Sequence, residues 1–206
     1  MIDRMETRRK SSIGRPRGFD TDEALERAMR VFWEQGYEGA SLADLTNAMG
    51  ITRTSMYAAF GNKEDLFRKA LERYTEGPAS YADRAQREPT ARQVATAFLN
   101  GSVRATTRPG CPAGCFGVQG SLAAGDPGRS ARDALIAWRN EGTLRLCGRF
   151  QRAIDEGDLP PDIDPELLAR YVMTVANGIA VQAASGATRD ELQQVADMAL
   201  RSWPPA

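Results

Sequence analysis

The side chains with the clearest chemistry lie at the start of a short segment, 52–60. Met56 and Phe60 are four residues apart, so a helix in this segment would turn both toward a core. The side chains that would then face outward near its amino end are Arg53, Thr54, Tyr57 and Ala58. A guanidinium can donate two hydrogen bonds to guanine, to O6 and N7. Small and basic residues at an exposed helix start therefore suit insertion into the major groove of DNA.

The residues that precede segment 52–60 predict another helix, which would position these side chains. Ser41 can cap this preceding helix, Asp44 favours the positive end of its dipole, and Gly50 ends it. Thr52 can cap the second helix. One apolar stripe is formed by Leu42, Leu45 and Met49. Together the pattern indicates two short helices joined by a tight turn.

Between about residues 20 and 71 the chain resembles the DNA-binding region of the TetR/AcrR family of bacterial transcriptional regulators. The resemblance lies in the run FWEQGYEGASLADLTNAMGITRTSMYAAFGNKEDLF at 32–67 and in the basic GRPR motif at 14–17. A lone helix-turn-helix pattern is weak, but the spacing of the glycines and aromatic residues makes this match specific. Beyond this region the resemblance covers only the layout of the helices.

The resemblance implies a set of DNA contacts at matching positions. Arg53 is the best candidate for a base contact, with a phosphate contact as the alternative. Thr52 and Thr54 would touch phosphate or a thymine methyl group. Phosphate contacts through a hydroxyl or an ammonium group are implied for Ser41, Tyr57 and Lys63. Ala58 and Ala59 depart from the bulkier polar side chains that many members carry there.

The amino-terminal segment is locally basic although the whole chain is not. Six Lys or Arg residues precede Gly18, against two acidic ones. Such an arm can lie in the minor groove or along phosphates. Residues 1–10 are equally well explained as a solvated tail. Arg15 and Arg17 adjoin the first helix, so we expect them to contact DNA.

Composition narrows the class of protein. The chain has 206 residues, 27 basic and 27 acidic side chains and no histidine. It therefore lacks the usual general base and the commonest metal ligand. Its glycine-rich segment 110–120 lacks the strand–turn–helix context of a nucleotide loop. With no signal peptide and no apolar run long enough to span a bilayer, we expect a cytoplasmic protein that is not an enzyme and needs no cofactor, metal or membrane.

Helical periodicity without any strand pattern predicts an all-α fold. We divide it into a basic arm (1–18), a three-helix helix-turn-helix head (19–62) and a larger helical effector-binding and dimerisation body (63–206). The head would begin with a helix over 21–35 that ends at Gly36. The further helices are predicted over 63–75, 80–86, 90–107, 130–156, 165–185 and 188–202. The glycine- and proline-rich stretch 108–120 should be a loop that leads into a short helix.

The run 171–181 is apolar nearly all round, so it must be covered on more than one side. It can be the core helix of a monomer. The resemblance implies that the last two helices, 165–185 and 188–202, form a four-helix interface with a twin subunit. The two interpretations are compatible. A two-fold dimer would read a palindromic operator with half-sites roughly 34–36 Å apart.

The resemblance also implies a body that encloses a pocket for a small-molecule effector. Aromatic residues with a few polar groups suit such a pocket, although at helical spacing each is more often part of a plain core. The candidate lining residues are Phe98, Phe116, Gln119, Leu122, Trp138, Tyr171 and Asn177.

Three cysteines are the remaining reactive groups. Cys111 and Cys115 lie at C-x3-C spacing within a glycine- and proline-rich loop, where oxidation or an electrophile could bridge them and shift the helix that follows. The alternative is that they are small apolar residues that pack the loop. Three cysteines without histidine fall short of a four-ligand zinc site.

These observations favour a dimeric transcriptional regulator, with repression of a palindromic operator relieved by an effector. One alternative is a repressor switched at Cys111 and Cys115. Another is a non-specific architectural DNA-binding protein, which the neutral net charge disfavours.

Overall fold

The computed structural model describes residues 18–119, 128–201 and 203–204. Within these ranges the chain forms ten α-helices and no strand, as the sequence predicts. Three candidate site residues, Arg15, Arg17 and Leu122, lie outside the described residues.

The head contains α1 (Thr21–Gly39), α2 (Leu42–Met49) and α3 (Arg53–Phe60). The Asp20 side chain caps α1 by accepting hydrogen bonds from the first-turn amides. Gly36 breaks the regular helix with a φ of 70°, as expected, but helical turns continue to Gly39. The first regular stretch of α1 therefore ends at Gly36, as predicted, and one further helical turn follows the kink.

The predicted helix-turn-helix is confirmed. Ser41 and Asp44 form a reciprocal capping box at the start of α2. Gly50 ends α2 in the left-handed region, with a φ of 68°, where a glycine is favoured. Thr52 caps α3 by accepting a hydrogen bond from the backbone amide of Ser55. Local side chains thus set both the length of each helix and the turn between them.

The body follows without a break. The remaining helices are α4 (Lys63–Glu76), α5 (Tyr81–Ala85), α6 (Ala91–Thr106), α7 (Phe116–Gln119), α8 (Arg129–Asp155), α9 (Pro165–Ala184) and α10 (Arg189–Arg201). Asn62 and Thr90 form capping boxes at α4 and α6, and Asp164 caps α9. The bounds of α4, α5, α6, α8, α9 and α10 agree with the predicted ones to within a few residues. The helix α7 instead lies inside the stretch 108–120 that the sequence predicts to be a loop, because burial of Phe116 in the core outweighs the local glycines and prolines.

The described residues pack into two apolar clusters. The first joins the head to α4, α7 and the start of α8, with Phe32, Phe67 and Phe116 fully buried. The second is formed by α6, α8, α9 and α10 around Phe150. The predicted head–body boundary after residue 62 therefore crosses a continuous core, so a displacement in the body can reach the head through packed side chains.

A buried arginine fixes the second cluster to the loop after α5. Arg149 of α8 is almost fully buried. It donates hydrogen bonds to the carbonyl oxygens of Gln86, Glu88 and Pro89 at 3.2, 2.8 and 2.9 Å. Its Nη1 has no partner among the described residues.

By length and composition alone, α9 could cross a membrane, with a mean hydropathy of 1.2 over its best window. The sequence alone predicts no apolar stretch of this kind. In the fold α9 packs against α6, α8 and α10. A core helix of a soluble protein passes the same length and composition test.

Candidate DNA-binding interface

The outer face of α3 presents the side chains that the sequence predicts for DNA recognition. Arg53 and Thr54 are exposed, and the Tyr57 side chain is 46% exposed. Met56 and Phe60 are buried on the opposite side, so they fix the rotation of α3. Arg53 forms no ion pair or hydrogen bond with any described residue, which leaves its guanidinium free for a ligand. The amide groups at the start of α3 add donors and a positive dipole end for phosphate.

The two capping residues have their hydroxyl groups engaged within the head. The Thr52 Oγ1 accepts from the Ser55 amide at 3.1 Å. The Ser41 Oγ donates to the Asp44 carboxylate at 2.6 Å. This bond and a second one from the Ser41 backbone amide lower the pKa of Asp44. Any phosphate contact of Ser41 or Thr52 therefore has to share an occupied hydroxyl, and these two contacts remain predictions.

Lys63 lies where α4 meets α1. Its ammonium group is 4.5 Å from the centre of the Tyr37 ring, a cation–π contact. Burial lowers the pKa of Lys63, while the charge of Glu38 opposes that shift. Lys63 thus fastens α4 to the end of α1, and its predicted phosphate contact would use the remaining exposed part of the ammonium group.

The helix α4 connects the head to the body through packed and polar contacts. Phe67 meets Phe32 of α1 edge to face, with ring centres 5.1 Å apart. Arg73 reaches the Glu26 carboxylate at 3.3 Å, and Lys69 donates to the carbonyl oxygen of Phe60 at 3.1 Å. Movement of α4 therefore moves α1 and α3 with it.

The loop and short helix after α6 also contact the head directly. Arg30 of α1 donates to the carbonyl oxygen of Gly110 at 3.0 Å. The Trp33 indole donates to the Gln119 side chain at 3.2 Å. The Tyr74 hydroxyl donates to the Cys115 sulfur at 3.2 Å in a fully buried pair. Sequence reasoning missed these contacts, because their partners are 41 to 86 residues apart.

Trp138 of α8 completes this region. Its indole donates to the Thr75 hydroxyl of α4 at 2.8 Å and lies against Gly117 of α7. We call this region the head–body junction, and its members are Trp33, Tyr74, Cys115, Phe116, Gly117, Gln119 and Trp138. Three α-helices of the body and one of the head meet there.

The structure separates the predicted pocket residues. Phe116, Gln119 and Trp138 come together at the head–body junction, whereas Phe98 belongs to the second cluster. On α9, Tyr171 is exposed and Asn177 is half-buried. Trp138 borders an open groove of about 410 Å³ between α4 and α8. A ligand that touches both phenylalanines would have to enter two separate cores.

The three cysteines are free thiols with different environments. Cys115 is buried, and this burial raises its pKa, with the Tyr74 hydrogen bond and Arg139 acting in the opposite sense. Cys111 and Cys147 are half-buried. Among the described residues no group of three or more His, Cys, Asp or Glu side chains could hold a metal ion.

Comparison with known proteins agrees with this architecture. Residues 24–70 match the family of bacterial regulatory proteins of the tetR family, and residues 91–200 match a tetracyclin repressor-like C-terminal domain. The transcriptional repressor ComR of Escherichia coli is 36% identical over 95% of this chain and 94% of its own length. The uncharacterised regulator YezE of Bacillus subtilis is 32% identical over 91% of this chain and 98% of its own.

Solved structures give the same result. A cysteine mutant of the TetR-family regulator CifR, in complex with 26-base-pair operator DNA, superposes with a TM-score of 0.88. It is 44% identical, over 92% of this chain and all of that one. The chain therefore belongs to the TetR family of bacterial transcriptional regulators. It is a cytoplasmic DNA-binding regulator and not an enzyme, as the sequence predicts.

Proposed function

We propose that this protein represses transcription as a homodimer on a palindromic operator and that a small-molecule effector releases it. The observation that carries the proposal is the outer face of α3, where Arg53, Thr54 and Tyr57 stand exposed on a helix fixed by buried Met56. ComR is named a repressor, and the CifR mutant was solved on operator DNA. Both similarities support the assignment for this chain. When bound to its operator, the protein would be associated with the nucleoid.

Exposed apolar side chains on α9 and α10 support the dimer. Leu167, Tyr171 and Val181 are exposed on α9, and at 3.6 residues per turn they fall within an arc of roughly 80°. Val195 and Met198 are exposed on α10. Leu167 and Met198 leave 64% and 62% of their surface in water. A twin copy of the same two helices would bury these side chains in a symmetric interface.

Two-fold symmetry sets the geometry of the DNA site. Each protomer would place one α3 in a major groove, and two such helices read half-sites roughly one turn, 34–36 Å, apart. Arg15 and Arg17 would reach phosphates or the minor groove beside each half-site. The affinity of the dimer for DNA then depends on the distance between its two heads.

An effector would act by favouring one of two distances between the heads. A ligand shifts the equilibrium between two such states only as far as its affinities for them differ. The route from body to head in this chain is short, because α4 and the head–body junction contact α1 directly. A ligand that displaces α4 or α7 would change the position of α3.

The buried contact of Cys115 with Tyr74 favours a second candidate, a thiol switch. Modification of Cys115 would break its hydrogen bond with the Tyr74 hydroxyl of α4. The raised pKa of Cys115 opposes this route, because it lowers the reactive thiolate fraction. Operator release by hydrogen peroxide in the native protein, but not in Cys115→Ser, would favour the switch over an effector.

The dimer is tested by single charge insertions. Met198→Glu and Leu167→Glu should shift the protein to monomers in sedimentation velocity and weaken operator binding with it. Leu144→Glu is the matched control, since Leu144 is 71% exposed on α8, outside the proposed interface. A Met198→Glu protein that stays dimeric and binds its operator normally would contradict the proposed interface.

A further inference from the structure

A cleft of about 500 Å³ lies between the loop after α6 and the turn that joins α9 to α10. It is separate from the groove beside Trp138 and from the outer face of α3. Its lining includes Thr107, Arg108 and Cys111 on the side of the loop, and Thr188 and Arg189 on the side of α10. The cleft therefore joins the loop that contacts the head to the helices of the proposed dimer interface.

The lining is positively charged. Among the described residues it contains two arginines and no aspartate or glutamate. Neither Arg108 nor Arg189 forms an ion pair within the part of the chain that the structure describes. Arginine is the side chain best suited to hold carboxylate or phosphate, because its planar fork donates two parallel hydrogen bonds.

Arg189 is held in place. Its Nε donates to the Thr107 hydroxyl at 2.9 Å, and its Nη2 donates to the Thr107 carbonyl oxygen at 3.1 Å. These bonds fix the side chain across the cleft and leave Nη1 as a further donor. Arg108, in contrast, donates no hydrogen bond from its side chain to a described residue. The guanidinium group of Arg189 is thus held in one position, whereas that of Arg108 can adjust to a ligand.

The two acidic side chains that follow Arg189 in the chain form no ion pair with either arginine in the described structure. Glu191 accepts hydrogen bonds from the amide and the hydroxyl of Thr188, both at 2.8 Å. Asp190 is exposed in the first turn of α10 and does not line the cleft. The amino end of α10, which begins at Arg189, adds its positive dipole end to the same region.

We propose that this cleft binds a small dianion between the guanidinium groups of Arg108 and Arg189. Its volume is that of a metabolite-sized site. Threonine hydroxyl groups and the Cys111 thiol complete a polar lining around the two guanidinium groups. The shared chemistry is that of dicarboxylates and phosphate compounds.

Occupancy of this site would reach the head through the loop. Arg108 is two residues from Gly110, whose carbonyl oxygen accepts a hydrogen bond from Arg30 of α1. A dianion that ties Arg108 to α10 would therefore draw this loop toward the body. This step rests on the proposed function, whereas binding itself does not, so the two can fail separately.

Binding is tested on the full chain by calorimetric titration with two probes, succinate and inorganic phosphate, at constant ionic strength set by sodium chloride. We expect saturable binding of at least one probe, and the probe that binds tells a dicarboxylate site from a phosphate site. Arg108→Gln should weaken binding of that probe by about tenfold or more, since each charge-assisted hydrogen bond contributes strongly to the affinity. Arg108 makes no side-chain hydrogen bond within the described structure, so this variant should fold normally.

Arg104→Gln is the matched control, because Arg104 is exposed on α6 and does not line the cleft. It should bind the probe like the native protein. Absence of saturable binding by either probe would overturn the site, and so would equal losses in Arg104→Gln and Arg108→Gln. Native affinity in Arg108→Gln would overturn it as well.

The regulatory step is tested with operator DNA and the probe that binds. The probe should change the operator affinity of the native protein and leave that of Arg108→Gln unchanged. An operator affinity that stays the same when the probe is bound would overturn the proposed coupling between the cleft and the head. Failure to bind operator at all would count against the proposed function instead.

Discussion

Gly117 of α7 lies directly against the indole ring of Trp138 of α8. A methyl group on residue 117 would overlap Cζ3 and Cε3 of that ring. Trp138 in turn donates a hydrogen bond to Thr75 of α4, and Arg139 donates one to the carbonyl oxygen of Gly117. The short helix α7 is therefore held between α8 and the helix that carries the head. This contact leaves no room for a side chain at residue 117.

Gly117→Ala should lower the free energy of unfolding by roughly 1–3 kcal/mol, since overpacking displaces either Trp138 or α7. The measurement is urea unfolding followed by tryptophan fluorescence. We also expect a changed operator affinity, because the displaced α7 carries Gln119, the partner of Trp33 in α1.

Gly148→Ala is the control for that substitution. A side chain at position 148 of α8 would meet nothing within 4 Å. An alanine in this exposed helical position should stabilise the protein by roughly 0.5–1 kcal/mol. Equal unfolding free energies for Gly117→Ala and the native protein would show that α7 is not tightly held.

Arg53→Ala should cost roughly 1–3 kcal/mol of binding at the specific operator and relax the sequence preference. The loss arises because the alanine cannot donate two hydrogen bonds to a guanine edge. Titration of operator and scrambled DNA at several salt concentrations measures both effects. A uniform loss on both DNAs with a shallower salt slope would instead assign Arg53 to phosphate.

Arg152→Ala serves as the control in that titration. Arg152 is exposed on α8, where it pairs with Glu156. Its removal should leave both DNA affinities unchanged, because it lies in the body, far along the chain from α3. A similar loss in this variant would mean that general charge, and not the face of α3, determines binding.

The three thiols should react at different rates with a soluble alkylating reagent. Cys111 and Cys147 are half-buried and should be modified in the folded state. Cys115 is buried with a raised pKa, so it should react only as the protein unfolds. Mass spectrometry of partly labelled protein reads out each site, and early labelling of Cys115 would contradict the burial described here.

Burial of Cys115 also predicts a dependence of stability on alkaline pH. Its folded pKa is raised above the ordinary value of 9.0, so the folded state keeps the proton longer than the unfolded state. Its contribution to stability is complete below pH 9 and is lost as the pH rises above it. The difference in unfolding free energy between the native protein and Cys115→Ser should therefore shrink above pH 9, and a growing difference would contradict this assignment.

Local features of the fold could be predicted from the sequence because they depend on neighbouring residues. Ser41, Thr52 and Asn62 each cap a helix with a partner three residues away or less. Gly50 ends α2 because its backbone takes up a left-handed conformation. The outward face of α3 follows from the same short-range periodicity, with Met56 and Phe60 on its inner side.

The head–body junction could not be predicted in this way. The contacts of Tyr74 with Cys115 and of Trp33 with Gln119 join residues 41 and 86 positions apart, and nothing in either local pattern indicates the partner. Aromatic character placed Phe98 and Phe116 in one predicted pocket. Their burial in separate clusters depends on how the helices pack, which single-sequence periodicity does not determine.

The most direct test of the account is a selection of bound fragments from the genome of the host, with reduced protein at moderate salt. A dimer that presents two copies of α3 should enrich a palindrome whose half-sites lie one helical turn apart, about 10 base pairs. The genes beside the recovered sites would be the regulated ones. Enrichment of no sequence, together with a steep salt dependence on random DNA, would contradict a specific repressor and leave a non-specific DNA-binding protein.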